Sequence, residues 1–189
     1  MDTSAAPRRP RSDAQRNVAA LLDAAKTVFA EAGVDAPAKR ITDLAGVGVG
    51  TLYRHFPLRS DLIVAVLQHE IDDCVAAATT LAAELAPWQA LTAWVDQFVA
   101  FVGTKHGLSQ ALHSGDPAYS GLPGRLLAQL EPALDGLLGA ARASGELAAT
   151  IGGRDVLLAV ARLCQPVQAD DPGENQRMAR IFVNGLRHA

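Results

Sequence analysis

The stretch Ala45-Gly46-Val47-Gly48-Val49-Gly50-Thr51-Leu52-Tyr53-Arg54-His55-Phe56 decides how the chain is read. Its first half is rich in glycine and reads as a turn. Its second half changes to helical period: Leu52 and Phe56 lie four residues apart and share a face, and Val47 enters from the turn side. The other positions, Val49, Gly50, Thr51, Tyr53, Arg54 and His55, are small or carry hydrogen-bonding heads. A short helix with a small N-terminal end can enter the major groove of DNA, where its first residues meet base edges. Tyr53 and His55 then flank it, where phosphates run. The plainer reading is a short core helix with a solvated face. A glycine-rich turn followed by Tyr-Arg-His on one side favours the groove reader.

Upstream, residues 12–31 repeat Val18, Leu21, Leu22, Ala25, Val28 and Phe29 at three- and four-residue steps and predict a helix, ended by Gly33. Residues 38–44 predict the first helix of a helix-turn-helix, with Ile41, Leu44 and Ala45 inward and Asp35 available as its cap. Downstream, Pro57 stops the recognition helix. A long helix follows over 60–85, and Pro87 closes it. Residues 88–104 are apolar over nearly the whole circumference, so this helix should lie at the centre of the body. Further helices are predicted over 108–113, 122–143, 152–163 and 174–187, the last with Met178, Ile181, Phe182 and Leu186 in one stripe. Residues 115–121 read as a loop, 165–173 as a polar connection, and no stretch alternates as a strand. The expected architecture is all-α, with about nine helices. A basic disordered arm (1–11) precedes a three-helix head (12–58), and a helical bundle follows (59–189).

Composition narrows the class. Net charge is −3, but residues 1–60 hold nine Lys/Arg against six Asp/Glu, and residues 61–189 hold eight against fourteen. A basic head on an acidic body suits a polyanion-binding domain joined to an effector domain. No run is long and apolar enough to span a membrane, and Arg8, Arg9 and Arg11 are not followed by an apolar signal core, so a cytoplasmic protein with no membrane partner is expected. Cys74 and Cys164 are far apart and read as buried, reduced thiols.

Between Arg16 and Leu67 the chain resembles the DNA-binding domain of TetR/AcrR-type transcriptional regulators. The resemblance is carried by Leu22-Asp23-Ala24-Ala25, Phe29, Glu31-Ala32-Gly33-Val34, Ile41, Ala45-Gly46-Val47, Gly50 to Pro57, Arg59 and Leu62. It implies a dimeric, ligand-responsive regulator, most often a repressor, that reads a palindrome of double-stranded DNA. It also implies contacts from Lys39 and from Arg59, a basic residue that the family places on the DNA backbone at the start of a helix. The family's capping hydroxyl is missing at Ala36-Pro37, and Thr42 stands where alanine is usual.

The resemblance implies dimerisation through the last two helices, here within residues 154–187, and a small-molecule effector inside the bundle. Late helices rich in Val, Leu, Ile, Phe and Met point the same way. For the effector, Trp94, Phe98, Phe101, His113 and Tyr119 offer aromatic walls and polar heads, with His113 and Asp116 the most pocket-like pair. No phosphate loop, nucleophile elbow or metal-ligand spacing is present, so no enzyme activity, cofactor or metal is expected. The competing class is a small-molecule-binding helical protein, or an enzyme, that carries only a helix-turn-helix-like segment.

Overall fold

The computed structural model describes residues 10–164 and 173–187. Among the described residues there are nine α-helices and no strand. They are α1 (Pro10–Ala32), α2 (Ala38–Ala45), α3 (Val49–His55), α4 (Arg59–Glu84), α5 (Pro87–Gly107), α6 (Ser109–Leu112), α7 (Leu122–Ala143), α8 (Gly153–Leu163) and α9 (Glu174–Gly185), with a 3-10 turn at Pro117–Tyr119. The all-helical expectation holds. The helix α1 begins at Pro10, so the arm expected over 1–11 yields its last two residues to a helix, and its remainder lies outside the described residues. Proline is tolerated there because first-turn N–H groups have no intrahelical partner. The same holds for Pro87, which opens α5 as well as following α4. Residues 165–172, most of the expected polar connection, also lie outside the described residues.

The chain forms two compact units, one ending at Val66 and the other beginning at Leu67. The division falls two turns inside α4, past the 58/59 boundary read from the sequence. In the first unit α1 packs against α2, and α2 against α3. Its buried side chains include Leu21, Ala25, Val28 and Phe29 of α1, Ile41 of α2, Leu52 of α3 and Leu62, Ile63 and Val66 of α4. Burying each large side chain contributes roughly 1.5–3 kcal/mol.

Two local expectations change. Leu44 is 57% exposed, and Thr42 is fully buried instead. The buried face of α2 is centred between Ile41 and Thr42, and Leu44 sits about 60° to the other side of Ile41. Burial of the Thr42 hydroxyl is tolerated because Oγ1 donates to the Lys39 carbonyl at 3.1 Å. Asp35 does not cap α2: the cap position is Pro37, and no side chain bonds there. At α4 the cap is present. Asp61 Oδ2 accepts the Leu58 N–H at 3.0 Å, the reach-back bond of a capping box.

In the second unit α5 packs against α7, α8 and α9, which makes it central as its all-round apolar pattern implied. Leu91 and Trp94 are fully buried, and the Trp94 indole N–H donates to the Cys74 carbonyl at 2.7 Å. Arg180 of α9 forks onto Asp96 of α5, with Nε at 2.9 Å and Nη2 at 2.7 Å. The start of α8 is fastened to α7. Asp135 Oδ1 accepts the Gly153 N–H at 2.7 Å, and a Cβ on Gly153 would lie 2.9 Å from that oxygen and 3.0 Å from the Glu131 carbonyl. Only glycine lets the two helices approach so closely.

The inward stripe of α9 is Ala179, Val183 and Leu186. Met178 and Ile181 point out, at 38% and 64% exposure, so of the expected stripe Leu186 alone is buried. Cys74 and Cys164 are both buried thiols outside any disulfide, and burial pushes the Cys164 thiol above its usual range. No described helix is long and apolar enough to cross a membrane.

Candidate nucleic-acid interface

The path from α2 to α3 is set by Gly46, which sits in the left-handed region at φ 68°. In that conformation the Gly46 N–H reaches the Asp43 carbonyl at 3.3 Å and the Val47 N–H reaches the Thr42 carbonyl at 3.0 Å, closing the last turn of α2. A Cβ would strain this turn. The chain then re-enters helix at Val49. Leu52 and Phe56 are buried at 3% and 8% exposure and pin α3 to its unit. That leaves Val49, Gly50, Tyr53, Arg54 and His55 exposed, with Thr51 half-buried. A seven-residue helix is about 10 Å long, short enough to be presented end-on to a groove about 12 Å wide. Arg54 and His55 fall in its last turn, where cations complement the helix dipole.

The two flanking cations expected at DNA are held differently. Lys39 is exposed, and its Nζ lies 2.8 and 2.7 Å from the two carboxylate oxygens of Asp43, one helical turn on. A surface pair of this kind is weak and exchangeable. Arg59 is another matter. Its Nε donates to the Val34 carbonyl at 2.7 Å, its Nη2 donates to the Ala36 carbonyl at 2.6 Å, and its guanidinium lies 4.7 Å over the Phe29 ring. The side chain braces the loop between α1 and α2. The signal that could have revealed it is the Gly33 to Pro37 loop itself. Its side chains, from Val34, Asp35, Ala36 and Pro37, include no hydrogen-bond donor for its carbonyls, which calls for a donor from elsewhere.

A second feature lies within the second unit. A cavity of about 160 Å³ is walled by Phe98, Phe101 and Val102 of α5, by Pro123, Leu126, Leu127 and Leu130 of α7, and by Leu157, Leu158 and Ala161 of α8. Trp94 and Phe98 stack at 5.6 Å and 8°, and Phe98 meets Phe101 at 5.9 Å and 31°. Of the five aromatic and polar candidates read from the sequence, Phe98 and Phe101 line the cavity, and Trp94 backs Phe98. His113 and Tyr119 are not among the lining residues; His113 is exposed and Tyr119 half-buried. Asp116 is exposed and accepts the Ala118 N–H at 2.8 Å, capping the 3-10 turn. The contributions of α7 and α8 were not anticipated. Leu126, Leu127 and Leu130 fall within about 100° of one another, the width of an ordinary packing stripe, so their spacing carries no sign of a cavity wall.

Comparison with known proteins places this arrangement. The pattern described as "Bacterial regulatory proteins, tetR family" matches residues 21–66, and that of "Transcriptional regulator SbtR-like, C-terminal domain" matches residues 86–188. A TetR transcriptional regulator from Streptomyces coelicolor is similar in structure, with a TM-score of 0.78 and 34% identity over 90% of this chain and 98% of that one. A TetR regulatory protein from Mycobacterium vanbaalenii gives 0.75 and 32% over 95% of this chain and 99% of that one. Among curated proteins, an HTH-type transcriptional regulator of Staphylococcus aureus is 36% identical over 84 residues, 43% of this chain and 44% of its own length. The match thus spans less than half of that relative. A head that matches one domain pattern of the family, a body that matches another, and structural relatives above 30% identity covered along nearly their whole length lead to one assignment: the chain belongs to the TetR family of DNA-binding transcriptional regulators.

Proposed function

We propose that this regulator binds a palindromic operator as a homodimer, represses transcription from it in the cytoplasm, at the nucleoid, and is released by a small-molecule effector. One observation carries the reading. The buried Leu52 and Phe56 turn the opposite side of α3, with Gly50, Tyr53, Arg54 and His55, to solvent beside the Gly46 turn. In the proposed complex, Val49, Gly50 and Thr51 approach base edges, Val49 touches a thymine methyl, and Arg54 pairs with guanine. Tyr53 and His55 hold phosphates, and Lys39 exchanges Asp43 for a phosphate oxygen. Arg59 acts one step back by fixing the loop that leads into α2.

Two such heads must be held apart by a dimer. The apolar side chains left outside α8 and α9, Leu163 at 41%, Met178 at 38% and Ile181 at 64% exposure, support an interface within residues 154–187. Effector release follows if occupancy of the cavity favours a head spacing that fits the operator less well. The helix α4 belongs to both units and would carry that bias.

The test is a gel shift against the DNA flanking the protein's own gene, with a salt titration. The expected result is specific retardation whose affinity falls steeply as salt rises. Binding that is absent, or insensitive to salt, overturns the reading in favour of a helical small-molecule binder.

A further inference from the structure

We infer that the cavity between α5, α7 and α8 takes a small, uncharged hydrocarbon of about single-ring size, with an aromatic ring preferred. The inference rests on reading the second unit as the effector domain, and it narrows what the effector is. Three observations carry it. First, among the described residues every side chain lining the cavity is apolar, so a ligand's charge finds no side-chain partner on these walls. Second, the volume of about 160 Å³ is close to that of an engineered apolar cavity that admits benzene, and well below the roughly 300 Å³ at which drug-sized pockets begin. Third, one wall is aromatic and already braced. Phe98 and Phe101 are tilted at 31°, and Trp94, fully buried, is stacked flat behind Phe98 and hydrogen-bonded to the Cys74 carbonyl. A ring entering between Phe101 and the leucines of α7 finds aromatic edges and faces that need not move.

The cavity couples naturally to the proposed interface. On α8, Leu157 and Ala161 face the cavity, while Leu163 on the same short helix stands exposed. Filling the cavity therefore acts on the inner side of a helix whose outer side is read as the dimer contact.

The test uses the full-length protein with toluene and benzoate as probes, in calorimetric titration or ligand-observed NMR. Toluene is expected to saturate with a Kd of about 1 mM or tighter, and benzoate to bind at least about a hundredfold more weakly. Ala161→Leu, which fills the cavity, should abolish toluene binding while its helical dichroism stays that of the parent. Ala161→Val serves the same purpose if the larger residue disturbs folding, with a partial loss expected. No saturable toluene binding to folded parent protein overturns the inference, as does benzoate binding as well as toluene, or undiminished toluene binding by both Ala161 variants. Toluene binding that leaves operator affinity unchanged keeps the ligand class and removes the release mechanism.

Discussion

Replacing Arg59 separates two roles that a cation at the edge of a DNA-binding head can have. Its guanidinium makes two charge-assisted hydrogen bonds, at 2.7 and 2.6 Å, to the carbonyls of Val34 and Ala36, whose residues are each only 6% exposed. Hydrogen bonds to a charged group contribute about 1.5–3 kcal/mol apiece, and the lower end suits a partly buried side chain. The cation over Phe29 at 4.7 Å adds about 0.5–1 kcal/mol. Arg59→Ala should therefore destabilise the protein by about 3.5–4 kcal/mol, which for a chain of this size lowers Tm by roughly 7–16 °C. Lysine keeps the charge but not the fork, so Arg59→Lys should recover little of the loss. Operator affinity should fall because the entry to α2 is loosened, but the slope of log affinity against log salt should stay that of the parent. A phosphate contact predicts the reverse: an unchanged Tm, rescue by lysine, and a slope shallower by about 0.9 for each phosphate lost. Thermal unfolding, together with fluorescence anisotropy at four salt concentrations, measures both. An unshifted Tm with a shallower slope would refute the bracing role.

Four further outcomes are expected. Tyr53→Phe should weaken binding to operator and scrambled DNA alike, as measured by anisotropy, because a phosphate contact carries no base information. Arg54→Ala should both weaken binding and relax preference at one base position, read by binding-site selection. Gly153→Ala places a methyl 2.9 Å from Asp135 Oδ1, so α8 must shift off α7, with a loss of about 1–3 kcal/mol in thermal unfolding. Ile181→Asp puts a charge on the exposed side of α9 and should yield monomers in sedimentation without loss of helical dichroism; dimers that persist would move the interface elsewhere.

The head was more legible than the body, for a physical reason. In α1 and α3 the apolar residues fall at one helical period with few alternatives, so Phe29, Leu52 and Phe56 identified the buried face directly. In α2 the chain offered Leu44 and Thr42 as neighbours of Ile41, and hydrophobicity alone favoured leucine. The packing of α1 against α2 decided for threonine, because a local hydrogen bond to the Lys39 carbonyl removes the penalty on its hydroxyl. The bracing bonds of Arg59 went unread because partners twenty-three and twenty-five residues away leave no mark in local spacing. The body posed the opposite difficulty. Its helices carry more apolar residues than one face can use, so Met178 and Ile181 could not be told from Val183, nor Leu126 on a cavity wall from Leu134 in the core.

The position of the unit boundary bears on how regulators of this kind can be recombined. A chimera that grafts this head onto another body, joined between Leu58 and Arg59, would take Arg59, Leu62, Ile63 and Val66 from the foreign parent. The carbonyls of Val34 and Ala36 would then depend on whatever side chain arrives with it. A crossover placed after Val66 keeps the brace, the Asp61 cap and the first two turns of α4 with the loop they evolved beside. Heads exchanged at that later point should keep their operator preference, whereas those cut at the visible proline should not.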